Sequence, residues 1–408
     1  MNAINSLYGV GFLARFSYAL ARNPVLPLFA LFLGAGPEAV GLAVGISTVT
    51  GIFFKMPSGA LSDVIGRRRT MLAGLWVFAV LPFAYLFIHS YWALVVVRFL
   101  HGLATAVYGP VVMAVVADLA GEKKGEMLSW FSSVTIIGTL LGAPVGGFIL
   151  HTLFGGDAGQ NSEPGLWAFR TVYLVSGVLG VASLVLGWRI LQGEERMEHT
   201  GGLPARWAKF KAGIREVLSD RRVVVVSSME GIQNMTMGAL EAFLPIYAVT
   251  VAGLNAFEAG LLWGAQIVVT MLSKPLMGRI SDQYGRKPVI ALGLIACSLS
   301  FMAIPWLGGF WTLLLAALVF GLGEAFVTSS SAALVADICK KQHYGAAMGT
   351  FGTIFDIGHA SGPILSGLLV GALGYKAAFA LLGVVLLAAL PVLWRGIPHE
   401  RREAGGIE

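Results

Sequence analysis

Twelve apolar runs dominate this chain, at about residues 7–33, 39–60, 70–89, 92–117, 128–151, 168–190, 223–250, 257–277, 288–307, 311–337, 346–370 and 374–394. A run of about 20 apolar residues is long enough to cross a bilayer as a helix. Only helices and closed barrels span lipid, because backbone N–H and C=O groups find no water there. These runs are too long and too continuously apolar for barrel strands, which alternate over about ten residues. The expectation is an all-α integral membrane protein with twelve spans. Charged residues make up 12% of the chain, about half the usual share for a soluble domain, so no soluble domain is expected. The first run contains Arg15 and lacks a small-residue cleavage site, which argues against a cleavable signal peptide.

The charges give the expected orientation. Of 28 Lys and Arg, 21 fall in one alternating set of loops and tails, whereas the opposite set holds only Arg170 and Lys376. Basic loops stay in the cytoplasm, so both termini are expected there, in the plasma (inner) membrane of a bacterium or archaeon. The net charge of +6 is then mostly topology, and no nucleic-acid partner is expected. Cys297 and Cys339 read as packing residues. The chain has no G-x-x-x-x-G-K-[ST] loop, H-E-x-x-H or G-x-S-x-G, so neither an enzyme nor an ATP-driven pump is expected. No cofactor or metal is implied. The expected partners are a small-molecule substrate and membrane lipids, and the chain is expected to be a monomer.

One glycine-and-charge motif is written twice. GALSDVIGRR begins at Gly59 and GRISDQYGRK at Gly278, 219 residues later. Lys55 and Lys274, Gly41 and Gly260, Gly102 and Gly321, and Asp118 and Asp337 keep that offset. After one inserted residue, Gly125, Gly138, Gly142 and Gly147 match Gly345, Gly358, Gly362 and Gly367. Six spans have been duplicated as a parallel repeat, an arrangement that places a transporter's substrate between its halves near the midplane. The domains are therefore 1–191, an N-terminal six-helix bundle; 192–221, a cytoplasmic linker; 222–395, a C-terminal bundle; and 396–408, a cytoplasmic tail. In the linker, Leu203, Trp207, Phe210, Ile214 and Val217 share one side of an amphipathic helix. That helix suits either the inner membrane surface or a solvated linker.

Charges at membrane depth are costly and usually functional. Five bases (Arg15, Arg22, Lys55, Arg98, Lys274) and four acids (Glu230, Glu241, Glu324, Asp356) qualify, and all the acids lie in the second half. A receptor or scaffold has no use for so many. Helical spacing groups Arg15, Tyr18 and Arg22; Arg98, His101, Thr105 and Tyr108; Glu230, Gln233, Asn234, Met237 and Glu241; Glu324, Thr328 and Ser331; and Asp356 with His359. Such stripes avoid lipid and line a cavity or meet other helices. The expected cavity set is Arg15, Tyr18, Arg22, His101, Gln233, Asn234, Met237 and Glu241. Trp130, Phe131, Phe243 and Phe326 read either as further lining or as ordinary packing. Arg22 and Glu241 occupy equivalent repeat positions. They are expected to pair either as an outer gate or as a permanent structural bridge. A carboxylate balanced between burial and a nearby cation can bind protons near neutral pH. Glu324, Asp356 and Glu230 are the candidates, with His359 one turn from Asp356.

The repeated motif resembles motif A of the major facilitator superfamily, G-x-L-x-D-x-x-G-R-[RK]. Gly59, Asp63, Gly66, Arg67 and Arg68 match it after the second span, and Gly278, Asp282, Gly285, Arg286 and Lys287 after the eighth. The resemblance implies a cytoplasmic latch between halves, with Asp118 and Asp337 at the right level for Arg67 and Arg286; topology enforcement is the alternative. PVLP at Pro24–Pro27 resembles the end of the first span in twelve-helix drug:proton antiporters. RFLHG, Arg98–Gly102, resembles motif B, which implies a part for Arg98 in proton coupling. GTLLGAPVGG, Gly138–Gly147, is similar to antiporter motif C, with Pro144 one place late; a glycine-proline packing helix is the other reading. The family often carries an acid in its first span, and this chain has none there. The resemblance implies the two-bundle fold and proton-coupled efflux of small organic or lipophilic compounds by alternating access. The alternative cargo is an organic anion, sugar phosphate or lipid, received by the basic first half.

Overall fold

The structure, a computed structural model, describes residues 3–120, 123–154, 165–190, 220–339 and 344–397. The amphipathic linker, residues 191–219, and the tail beyond residue 397 lie outside the described residues. So does the side chain of Asp63. Every regular element among the described residues is helical.

The first run is split into α1 (Ala3–Leu20) and α2 (Val25–Phe32). The break falls at Pro24, which has no N–H to donate to a continuing helix. There follow α3 (Pro37–Ile65), α4 (Arg67–Ala84), α5 (Tyr91–Leu119), α6 (Lys124–Phe154) and α7 (Leu166–Ile190). The second half comprises α8 (Arg221–Thr250), α9 (Ala256–Tyr284), α10 (Arg286–Ala303), α11 (Phe310–Ile338) and α12 (Tyr344–Gly396). The last two apolar runs share α12, which bends at Gly374 (φ 76°).

Nine of the described helices are long and apolar enough to cross a membrane. Interrupted α1–α2 falls outside that set. So does α8, which carries Arg221, Arg222, Glu230 and Glu241.

The twin motifs are twin turns. Gly66 (φ 104°) joins α3 to α4, and Gly285 (φ 96°) joins α9 to α10. Only glycine takes that backbone region without strain. The repeated helix glycines are contact points. A Cβ on Gly102 would lie 2.5 Å from the Ser47 carbonyl oxygen, and one on Gly321 would lie 2.6 Å from that of Gln266. Gly138 and Gly142 bring α6 onto α1, whereas Gly358 and Gly362 bring α12 onto α8. The motif C-like stretch thus forms a packing seam in both halves.

Two more such contacts join the halves. Gly41 and Gly45 of α3 pack against Pro363 and Ala360 of α12, and Gly367 returns against Pro37. Gly260 of α9 packs on Ala143 of α6, and Gly147 on Ala256. These are one contact written twice, since Pro37 and Ala256 are 219 residues apart. Both contacts lie at the end remote from the motif turns, the far end. At the motif end, here the basic end, a Cβ on Gly278, Gly349 or Gly352 would meet nothing within 4 Å. The buried apolar core follows suit. One cluster joins both halves at the far end and continues down the second half to its basic end, and a second, around Leu75, Phe78 and Val112, belongs to the first half alone. The halves therefore meet at the far end and part toward the basic end.

Candidate site: charges between the halves

Where the halves meet, charges cross between them. Arg22, in the α1–α2 junction, donates from Nη2 to Glu241 Oε2 at 2.8 Å and forms an ion pair with it. His359 of α12 joins them, its Nε2 3.1 Å from Glu241 Oε2 and 3.2 Å from Arg22 Nη2. The Glu241 side chain is only 4% exposed, so it depends on these partners: a buried carboxylate without a cation is strongly disfavoured. Nearer the basic end, Lys55 Nζ of α3 donates to both oxygens of Asp356 on α12, at 2.8 and 2.6 Å. Both sets of ionic contacts join the first half to the second.

A second cluster stays within the second half. Glu324 Oε2 accepts from Gln266 Nε2 at 2.5 Å and from Thr270 Oγ1 at 3.1 Å, both on α9. Glu230 is fully buried; its Oε1 accepts from Asn234 at 3.2 Å, and its Oε2 has no partner. Lys274 acts electrostatically on both carboxylates but forms no ion pair with either among the described residues. Met237 is half-buried beside this cluster, its sulfur 3.4 Å from Gln266 Nε2.

Arg98 and His101 are sealed inside the first half, each about 1% exposed. Arg98 donates to the Ala43 carbonyl at 3.3 Å and to Ser47 Oγ at 2.5 Å, with the Tyr18 ring 5.8 Å from its guanidinium. His101 Nδ1 lies 3.1 Å from the Tyr85 hydroxyl and its ring packs on Tyr18. Gln233 and Asn234 are likewise buried, and Asn234 also donates to Gln233 Oε1 at 3.1 Å. Of the expected cavity set, Arg15, Arg22 and Met237 keep exposed surface, whereas Tyr18, His101, Gln233, Asn234 and Glu241 stand behind it. Phe131 and Phe243 are core residues, and Trp130 is 58% exposed; neither pattern belongs to a cavity lining.

Among the described residues, Arg67 and Arg286 pair with carboxylates of their own halves. Arg67 binds Asp118 and donates to the Ala114 carbonyl at 3.1 Å, all within the first half. Arg286 binds Asp282 and reaches Asp337 at 3.1 Å, all within the second. Lys287 Nζ donates to the carbonyls of Trp394 and Ile397 at 2.9 and 2.6 Å, tying the start of α10 to the end of α12. A latch between halves is thus not made by these pairs while the basic end is parted. They fix the turn within each bundle.

Sequence reasoning passed over Ser47, Gln266 and Thr270. Ser47 and Gln266 are repeat mates at offset 219, and they hold charges of opposite sign, buried Arg98 and half-buried Glu324. A usable signal was present. Gln266, Thr270 and Lys274 recur every four residues, a polar stripe along one side of α9.

Two repeated helical halves that meet over charged side chains fit a membrane transporter. The Major Facilitator Superfamily sequence profile matches residues 7–272 and 256–406, and the chain belongs to that superfamily. An uncharacterized MFS-type transporter of Methanocaldococcus jannaschii is 22% identical over 376 residues, 92% of this chain and 90% of its own length. The multi-drug resistance efflux pump PmrA homolog of Lactococcus lactis is 24% identical, covering 91% of this chain and 88% of its own. The multidrug transporter MdfA of Yersinia pestis is 27% identical over 76% of this chain and 73% of its own. Among solved structures, a variant of the nucleoside transporter NupG superposes with a TM-score of 0.79 at 14% identity, over 96% of this chain and all of that one. A bacterial homolog of the human lysosomal transporter Spinster gives 0.77 at 14% identity, over 97% and 94%.

Proposed function

We propose that this chain is a proton-coupled exporter of small organic compounds that works as a monomer in a bacterial or archaeal plasma membrane. It spans the bilayer twelve times, with both termini cytoplasmic. The Lys and Arg asymmetry supports that orientation, and in it the parted basic end faces the cytoplasm. The names of the PmrA and MdfA relatives support efflux of drug-like compounds. A proton gradient supplies the energy, and no cofactor takes part.

The observation that carries this reading is the division of the buried charges. Arg22–Glu241–His359 and Lys55–Asp356 bridge the halves, so they favour the state in which the far end is shut. A transporter needs contacts of this kind, formed in one state and lost in the other. Glu324 is different: it is half-buried, and its hydrogen-bond donors are neutral. It is the proton carrier in this reading, with buried Glu230 behind it. Asp356, held by Lys55, serves the bridge. Arg98 acts indirectly, by fixing α5 to α3 behind the Tyr18 wall. The organic-anion reading loses ground, because Arg22 and Lys55, two of the four first-half bases, are already neutralised by carboxylates.

The test is proton movement in proteoliposomes carrying an imposed pH gradient, with tetraphenylphosphonium added as a lipophilic cation. Dissipation by wild type, abolished by Glu324→Gln and retained in part by Asp356→Asn, is the expected result. No dissipation by folded wild-type protein with any of a panel of lipophilic cations would remove proton-coupled export of such cations.

A further inference from the structure

Pairing the intramembrane charges leaves a remainder in each half, of opposite sign. In the first half the remainder is Arg98, sealed in the bundle on neutral acceptors, and Arg15. Arg15 is half-buried on α1 and makes no ion pair or hydrogen bond with any described residue. The groups that act on it electrostatically are Tyr108, Tyr18 and Arg22, with no carboxylate among them. Tyr108 is 1% exposed, and its hydroxyl is buried without a partner. An unpaired guanidinium beside an unused phenol is a set of donors with nothing to receive them. Burying either without an acceptor is unfavourable.

In the second half the remainder is acidic. Glu230 and Glu324 share one Lys274, which leaves one negative charge over when both are ionised. Oxygens there lack donors: Glu230 Oε2 and Gln266 Oε1 are buried without a partner, and only Oε2 of Glu324 is engaged. The charged and titratable groups around Glu324 are Lys274 on α9, Glu230 on α8, Cys297 on α10 and His359 on α12.

The two remainders stand at one depth. At about 1.5 Å per residue, Arg15 lies roughly 18 Å along α1 from the basic end, and Glu324 roughly 21 Å along α11. Arg15 is the mate of Asn234, the residue that holds Glu230, and Glu324 is the mate of Thr105, one turn from His101.

We infer that the transported compound is dipolar: an anionic group seated on Arg15 and the Tyr108 hydroxyl, and an ammonium seated between Glu324 and Glu230. The inference rests on the transporter reading above and narrows its substrate class. It also gives the coupling a chemical form. One surplus negative charge in the second half accepts either a proton or the substrate's ammonium, so the two cations compete for the same carboxylates. The carboxylate of the substrate distinguishes the ammonium from any simple lipophilic cation.

The test uses full-length protein in nanodiscs and three fluorescent probes of one skeleton. Nα-dansyl-lysine carries both charges, its methyl ester only the ammonium, and its Nε-acetyl derivative only the carboxylate. Removing one charge-assisted contact should weaken binding about 10- to 100-fold, so the zwitterion should bind tighter than either relative by that factor. Arg15→Gln should reduce the zwitterion to the affinity of the ester while leaving the ester unchanged, which also shows that the variant is folded. Arg15→Lys should recover part of the loss, and Glu324→Gln should reduce the zwitterion to the level of the acetyl derivative. An ester that binds as well as the zwitterion, with Arg15→Gln silent, would overturn the inference and leave a cation exporter. So would binding of none of the three by protein whose proteoliposomes still answer tetraphenylphosphonium. Tight, Arg15-dependent binding of the zwitterion without any proton movement would uphold dipolar recognition and sink proton coupling instead.

Discussion

Arg22→Gln should shift the protein away from the far-end-closed state. The Arg22 side chain is 22% exposed and that of Glu241 is 4% exposed. Removing one partner of a buried pair costs about 3–5 kcal/mol, because the other charge is left stranded. Partial exposure of Arg22, and the nearness of His359 as a substitute cation, reduce this to about 2–3 kcal/mol. The penalty falls only on the state in which the halves touch, so the closed-to-open ratio at the far end should drop roughly 30- to 150-fold. Arg22→Gln/Glu241→Gln strands no charge and should recover most of the loss. Pulsed electron resonance reads the shift through labels at Trp92→Cys and Val251→Cys, exposed far-end sites on opposite halves (62% and 57%). The background is Cys297→Ala/Cys339→Ser. A lower melting temperature with an unchanged distance distribution would refute the reasoning and make the pair a permanent strut.

Three further outcomes test the packing and the termini. Gly358→Ala would drive its Cβ into the Gly231 backbone, so it should cost about 1–3 kcal/mol; Gly349→Ala, with open space around it, should be neutral or stabilising by up to about 1 kcal/mol. Thermal unfolding read by thiol-reactive dye at buried Cys297, with Cys339→Ser, separates the two. Lys55→Met should strand Asp356 and lower stability more than Lys55→Met/Asp356→Leu, measured in the same assay. Asp220 caps α8, accepting from the Arg222 backbone N–H at 2.9 Å, and the Arg222 side chain holds its carboxyl below the ordinary 3.8. A depressed pKa contributes stability above the ordinary value and loses it as pH falls through the folded one. Asp220→Asn keeps the capping oxygen but loses the charge, so its small deficit near pH 7 should shrink as pH falls below the ordinary 3.8 and through the lowered folded value.

The sequence carried the repeat and the pairing of Arg22 with Glu241, because periodicity and offset are linear properties. It could not say which charges would be exposed. His101 and Gln233 lie on the same polar stripes as true lining residues, yet a neighbouring helix covers them. A stripe shows that a face avoids lipid and leaves open whether it meets water or protein. Lys55 shows the same limit: its partner Asp356 is 301 residues away and no repeat mate, so nothing local announces it. The motif A pairs closed within each half: among the described residues, Arg67 and Arg286 meet carboxylates of their own bundle.

The divergence of the two halves follows from where the symmetry axis runs. A residue that touches its own repeat mate must lie close to the pseudo-two-fold, and Arg22 touches Glu241 at an offset of 219. Identical charges at that place would repel whenever the far end shut, so a faithful duplicate could not stay closed. Lys55 and Lys274 lie away from the axis, meet different surroundings and remain identical. The argument predicts the outcome of reversal. Glu241→Arg alone should put two guanidinium groups together and abolish far-end closure in the resonance measurement, whereas Arg22→Glu/Glu241→Arg should restore it. If the swapped pair stays as open as the single variant, the charges are read by their surroundings, His359 first among them, and the axis does not explain the change of sign.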